Sequence, residues 1–180
     1  MKKLTLLRHA KSGWNDPVAR DFDRPLNAKG RRAAQRIGAY LRDQHLAFDH
    51  VVASPATRVI ETIENMAEGL GETIAPAWDK RLYLASAVSL LDVIHESDDS
   101  YDTLLLAGHN PGLEDLVLLL VPDRADDRAR DQVEEKFPTA SLAEICFPVD
   151  HWEDVRPNSG ELARFVRPRD LDPSLGPDVE

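Results

Sequence analysis

Two arginines and two histidines stand where apolar segments of this 180-residue chain end. Arg8 and His9 close the apolar run in "LLRHAKS", Arg58 follows Ser54 by four residues, and His109 comes directly after "LLLAG". The planar guanidinium group of arginine matches the oxygen atoms of a phosphate, and a neutral imidazole is a competent nucleophile near pH 7. These residue types therefore indicate phosphate binding and phosphoryl transfer, if the fold brings them together.

The elements around these residues predict an α/β fold. Short apolar runs that are typical of buried strands alternate with amphipathic segments that are typical of helices. This alternation favours crossover connections, and so a three-layer α/β/α sandwich with a mostly parallel central sheet. The predicted strands are 4–8, 50–54, 102–108, 141–147 and 161–166, and the predicted helices are 27–46, 54–71, 86–96 and a helix from 111 onwards.

Ligands of such sheets bind beyond the carboxyl ends of the strands, so the four candidate residues should converge there. Two helices are predicted to begin at the same edge, with Ser54 and Asn110 as N-caps and Pro55 and Pro111 as first helical residues. Their N-termini would add backbone N–H donors for an anion. Because arginines neutralise phosphate charge and no acidic metal cluster follows these strands, we expect no metal ion or other cofactor.

Composition limits the partners and the compartment. The chain has 22 Lys and Arg against 32 Asp and Glu, a net charge of −10, so its overall field should repel nucleic acid and anionic membrane surfaces. The single cysteine, Cys146, cannot form an internal disulfide, which favours the cytoplasm. Arg8 interrupts the apolar start of the chain too early for a signal peptide. Cys146 is also a poor alternative nucleophile, because it lies inside a predicted strand.

The length predicts one domain, which we assign to residues 1–170, with residues 171–180 as a flexible tail. One internal segment, 122–136, contains six acidic residues, four basic residues and a single valine. It has too little apolar surface to pack, so we expect a solvated surface loop, with a lid over the site as the alternative.

Several motifs, in this order, carry a family resemblance. They are "LLRHAKSGWND", "FDRPLNAKGRRAA", "ASPATRVIETIE", "LLLAGHNPGLEDL", "KFPTASLAEICF" and "RPRDL". Together they resemble the histidine phosphatase superfamily, which is phosphoglycerate mutase-like, and within it the SixA-like phosphohistidine phosphatases. The resemblance implies His9 as the phosphate-accepting nucleophile, His109 as its partner, and Arg8 and Arg58 as phosphate clamps. It also implies a further phosphate contact by Asn15.

The sequence departs from the mutase-like pattern at the proton donor. Mutase-like members place a glutamate after the third strand, whereas residues 81–91 contain no carboxylate, and Asn110 stands where acid phosphatases have aspartate. A leaving imidazole needs less help from an acid than a leaving alcohol does, which favours a phosphohistidine-carrying protein as substrate. Two alternatives stay open: a small-molecule phosphomonoester phosphatase with Glu114 as its acid, and a non-catalytic phosphate-binding module.

Overall fold

The computed structural model describes residues 1–13, 17 and 20–177, so Asn15 lies outside the described residues. Six strands are found among them: β1 (Lys2–Arg8), β2 (His50–Ala53), β3 (Ala77–Trp78), β4 (Thr103–Gly108), β5 (Leu142–Phe147) and β6 (Glu161–Val166). The α-helices are α1 (Ala28–Asp43), α2 (Thr57–Leu70), α3 (Ala87–His95), α4 (Gly112–Leu120), α5 (Arg128–Glu135) and α6 (Pro168–Leu171). None of these described helices is long and apolar enough to cross a membrane.

The strands form one sheet in the order β3-β2-β4-β1-β5-β6. Neighbouring strands from β3 to β1 pair in parallel, whereas β5 is antiparallel to both β1 and β6. The prediction of a mostly parallel sheet is confirmed. Arg8 lies opposite Gly108 in the register of β1 and β4, so these strands end at the same level. His9 and His109, the next residue of each strand, therefore leave the sheet side by side.

Alternating side chains of the central strands fill two separate cores, one on each face of the sheet. Leu6 of β1 and Leu106 of β4 belong to the core that α3 and α4 cover, and Leu7 and Leu105 belong to the core under α1 and α2. Strands buried on both faces explain why these segments read as continuous apolar runs. The three-layer α/β/α architecture is confirmed.

Two helices begin later than the sequence predicts. The helix after β2 begins at Thr57 with Ala56 as its N-cap. The hydroxyl of Ser54 accepts from Ala56 N at 3.3 Å and contacts His109 Nε2 at 2.8 Å, and it caps none of the N–H groups within the helix. The helix after β4 begins at Gly112 with Pro111 as its N-cap. The predicted role of Ser54 as N-cap is therefore wrong. Asn110 lies one residue before the cap position, but its Oδ1 accepts from Glu114 N in the first turn at 3.3 Å. Helix α1 does begin after the predicted cap, Asn27, whose side chain accepts from Gly30 N at 2.8 Å.

Segment 122–136 is not a solvated loop, because it contains the helix α5. Its single valine, Val133, is fully buried in the core. Arg130 is also buried, and its Nε donates to Val121 O at 2.9 Å, a carbonyl just beyond the end of α4. The prediction failed because composition suggested a shortage of apolar surface, whereas one valine and one arginine suffice to attach this short helix.

Replacing Arg130 by methionine should lower the free energy of unfolding by about 1–3 kcal/mol, because the carbonyl of Val121 would lose its buried partner. Arg128 offers a matched control, since it lies exposed on the same helix. Its replacement by methionine should change stability by no more than about 0.5 kcal/mol. Urea unfolding of both variants measures the difference, and equal effects would contradict a structural role for Arg130.

The chain beyond α6 packs against the body of the domain as far as it is described. Leu171 and Leu175 contact the core under α1 and α2. Lys29 Nζ donates to Gly176 O at 2.5 Å. The boundary at residue 170 and the flexibility of 171–180 stay predictions.

Candidate active site

A cleft of about 500 Å³ lies at the carboxyl ends of β1, β2 and β4. The structure brings the four candidate residues Arg8, His9, Arg58 and His109 together in its lining. The remaining described lining residues are Lys11, Ser12, Asp21, Arg24, Leu84, Asn110 and Thr139. Cations greatly outnumber carboxylates in this set, so the cleft can hold an anion despite the net charge of −10.

His9 is buried, and its ring is oriented by its own loop. Its Nδ1 lies 2.7 Å from Ala10 O, and because a carbonyl can only accept, Nδ1 carries the proton. The lone pair of the neutral ring is therefore on Nε2. Burial lowers the pKa of His9 to about 3, and the positive charge of Arg8 contributes in the same direction. His9 is thus neutral and able to act as a nucleophile at neutral pH.

His109 is held in the opposite tautomer. Arg58 Nη2 lies 3.3 Å from its Nδ1, and since arginine can only donate, Nδ1 accepts and Nε2 carries the proton. This Nε2–H donates to Ser54 Oγ at 2.8 Å. Burial and then Arg58 lower the pKa of His109 to about 4. The rings of His9 and His109 lie 5.4 Å apart between centroids, and both line the cleft.

Arg58 is fixed by Asp21, which the sequence analysis missed. Arg58 Nη1 donates to Asp21 O at 2.8 Å, and Nη2 donates to Asp21 Oδ2 at 3.0 Å. The hydroxyl of Tyr83 donates to the same Oδ2 at 2.7 Å. This hydrogen bond, with those from Arg24 and Arg58, lowers the pKa of Asp21 to about 2. Asp21 is therefore ionised at neutral pH and positions the guanidinium group.

Arg8 is held through the main chain of Phe137. Its Nη1 donates to Phe137 O at 2.9 Å, and Asn110 Nδ2 donates to the same carbonyl at 3.0 Å. The Nε atoms of Arg8 and Arg58 are buried and bond none of the described residues. Buried donors are normally satisfied, so these two N–H groups are unusual in lacking a partner among the described residues.

Glu114, the alternative proton donor, does not line the cleft. Its Oε1 accepts from Phe137 N at 3.0 Å, so the carboxylate supports the segment that holds Arg8. The predicted phosphate contact of Asn15 concerns a residue outside the described part of the chain.

The loop that carries His9 is supported from two sides. Thr62 of α2 donates to Arg58 O at 2.6 Å and accepts from Ala10 N at 2.9 Å, which ties the loop to the helix of Arg58. On the other side the main chain of Lys11 packs closely against Gly30 of α1. A Cβ added at Gly30 would lie only 2.1 Å from Lys11 O. These contacts fix His9 relative to Arg58 without touching the cleft.

The two histidines should make the fold sensitive to acid. Their folded pKa values, about 3 for His9 and about 4 for His109, lie below the ordinary 6.5, so the unfolded chain binds more protons as the pH falls below 6.5. The free energy of unfolding should therefore fall between pH 6.5 and 4, by up to about 1.4 kcal/mol per pH unit for each histidine. Urea unfolding at several pH values measures this slope.

Replacement of His109 by glutamine should make the decline shallower. Replacement of the exposed His45 by asparagine should leave the slope unchanged. A slope that is the same in wild type and His109→Gln would contradict the assignment of a buried, neutral His109.

Known proteins are similar to this chain in sequence and in fold. Residues 4–83 match the histidine phosphatase superfamily (branch 1). An uncharacterized protein of Mycobacterium tuberculosis is 37% identical over 165 residues, which are 91% of this chain and 100% of the relative.

Two solved structures share the fold over nearly their whole length. SixA of Nakamurella multipartitia has a TM-score of 0.80 at 27% identity, covering 93% of this chain and 96% of that one. SixA of Agrobacterium tumefaciens has a TM-score of 0.74 at 26% identity, covering 92% and 97%. With the paired histidines and arginines at the same edge of the sheet, the chain belongs to the histidine phosphatase superfamily, in its SixA-like branch, and is a phosphatase.

Proposed function

We propose that this phosphatase hydrolyses phosphohistidine in a protein, through an intermediate phosphorylated on His9. The observation that carries the proposal is the state of Asp21. It is the one carboxyl group in the described lining of the cleft, and its pKa of about 2 means that it has no proton to donate at neutral pH. The site thus contains groups that bind phosphate and a nucleophile. None of its described residues offers a protonated carboxylic acid.

In the first step the lone pair on His9 Nε2 forms a bond to phosphorus while the bond to the substrate's imidazole nitrogen breaks. Arg8 and Arg58 neutralise the charge on the phosphoryl oxygens during the transfer. The proton on His9 Nδ1 stays in place, bonded to Ala10 O. In the second step water attacks phosphorus, the bond to Nε2 breaks, and the two protons of the water leave with inorganic phosphate as dihydrogen phosphate.

The leaving group explains why this chemistry suits a site without an acid. If the other ring nitrogen of the phosphohistidine is protonated, the imidazole departs as a neutral molecule, and no proton has to reach the departing nitrogen. An alcohol would instead depart as an alkoxide, unless an acid protonated its oxygen. Transfer from imidazole to imidazole therefore needs no carboxylic acid, whereas ester hydrolysis does.

The test is a comparison of two peptides of one sequence, which carry either phosphohistidine or phosphoserine at the same position. We expect kcat/KM to be at least about 100-fold higher for phosphohistidine, the usual contribution of a general acid that the ester would need. Equal or faster hydrolysis of phosphoserine would overturn the proposal and favour a phosphomonoester phosphatase.

A second measurement separates a catalyst from a binding module. After incubation with a labelled phosphodonor and rapid quenching, the wild type should carry an acid-labile phosphoryl label. Tight binding of phosphate or vanadate without label or turnover would overturn the proposal and indicate a module that binds phosphate only.

We also propose that the enzyme works without a metal ion and in the cytoplasm. Arginines supply the positive charge that a metal ion would otherwise provide. The single thiol, Cys146, lies half-buried on β5, where burial raises its pKa, so neither a disulfide nor a reactive thiolate is expected.

A further inference from the structure

A second cavity, which we call the basic groove, adjoins the cleft. Its volume is about 440 Å³, and it shares Arg8, Lys11 and Thr139 with the cleft, so the two lie next to each other. Its described lining contains no carboxylate. The charged residues that line it are Arg8, Lys11, Lys29, Lys136, Arg167 and Arg169.

This concentration of charge is unusual for the chain. Six of its 22 Lys and Arg residues line one groove of a protein whose net charge is −10. They come from separate elements, including the start of α1, the end of α5 and the start of α6. Arg167 is ion-paired with Asp170 at 2.8 Å, which reduces its own contribution. Six cationic side chains and no carboxylate in the described lining still make the groove a local site for anions.

The walls of the groove distinguish an acidic polypeptide from a small ion. Between the cations lie apolar side chains, among them Pro138, Pro168 and Leu175. A free inorganic anion gains nothing from such surfaces. A peptide segment, in contrast, can bury methylene groups against them while its carboxylates meet the lysines and arginines.

We infer that the basic groove binds an acidic segment of the substrate protein next to its phosphohistidine. The inference rests on the proposed function, because the cleft must hold the phosphoryl group while the groove holds the flanking carboxylates. Attraction between the cations of the groove and the carboxylates of the substrate would raise the association rate. It would also favour those phosphohistidine proteins that carry acidic residues beside the phosphohistidine.

Two phosphohistidine peptides test this inference, one with glutamates beside the phosphohistidine and one with glutamines. We expect kcat/KM to be about tenfold higher for the glutamate peptide, and this preference to weaken as salt screens the charges. The double variant Lys136→Gln/Arg169→Gln should bring the ratio of the two kcat/KM values close to one. Because the readout is a ratio, a general loss of activity cannot imitate the result.

Lys3→Gln is the matched control, since Lys3 lies near the amino end of β1, opposite the end that carries Arg8. It should keep the wild-type preference. Equal kcat/KM for the two peptides, or a preference that survives in the double variant, would overturn the inference and leave the proposed function intact. No hydrolysis of either peptide would overturn the proposed function and the inference with it.

Discussion

His9→Ala should lower kcat/KM by about 10⁴-fold or more and should abolish the acid-labile phosphoryl label. In the proposed mechanism the nucleophile is the lone pair on His9 Nε2. The hydrogen bond from Nδ1 to Ala10 O keeps the ring in the tautomer that leaves this lone pair free to react. Loss of the nucleophile of a covalent mechanism typically leaves only the rate that binding and charge stabilisation supply. Steady-state kinetics on a phosphohistidine peptide and rapid-quench labelling measure the two effects.

His45→Asn provides the control, because His45 is exposed. Circular dichroism should show that both variants are folded. If His9→Ala carried as much acid-labile phosphoryl label as the wild type, another residue would accept the phosphoryl group. The proposed mechanism would then be wrong.

Arg58→Lys should lower kcat/KM by about 10³-fold, even though the charge is kept. A lysine cannot reproduce the planar fork that reaches Asp21, His109 and the phosphoryl group together. The same substitution should raise the pKa of His109 above its value of about 4, because the guanidinium group no longer donates to Nδ1. Kinetics and an NMR titration of the His109 ring provide independent readouts.

The exposed Arg42 on α1 offers a matched control, and Arg42→Lys should change neither kinetics nor the titration of His109. Wild-type kcat/KM in Arg58→Lys would show that charge alone is required at this position. An unchanged pKa of His109 would show that burial and the retained positive charge keep its ring neutral without the hydrogen bond from Arg58.

The sequence was sufficient to predict the fold class and the convergence of four residues. Apolar runs such as "LTLLR" and "LLLAG" mark strands that are buried on both faces, and the residue after each strand must emerge at one edge of the sheet. Strand ends and residue chemistry are local properties, so Arg8, His9 and His109 could be located without knowledge of the packing.

The groups that orient these residues could not be predicted in the same way. Asp21 begins a short 3-10 helix, Asp21–Asp23, which no hydrophobic periodicity marks, and it contacts Arg58 and Tyr83 only through the tertiary fold. Residues 81–91 contain no carboxylate, and nothing in their sequence marks Tyr83 as the partner of Asp21. Ser54 had a plausible local role as an N-cap, but its hydroxyl contacts His109, 55 residues away.

Helix α5 affects the cleft as well as the stability of the fold. It leads directly to Phe137, whose carbonyl holds both Arg8 and Asn110, the residue beside His109. We expect local unfolding of α5 to weaken the hydrogen bond from Arg8 to Phe137 O, although Glu114 also holds Phe137 through its main-chain N–H. If it does, binding of a phosphoryl group and folding of α5 favour each other, because coupling between two sites is reciprocal.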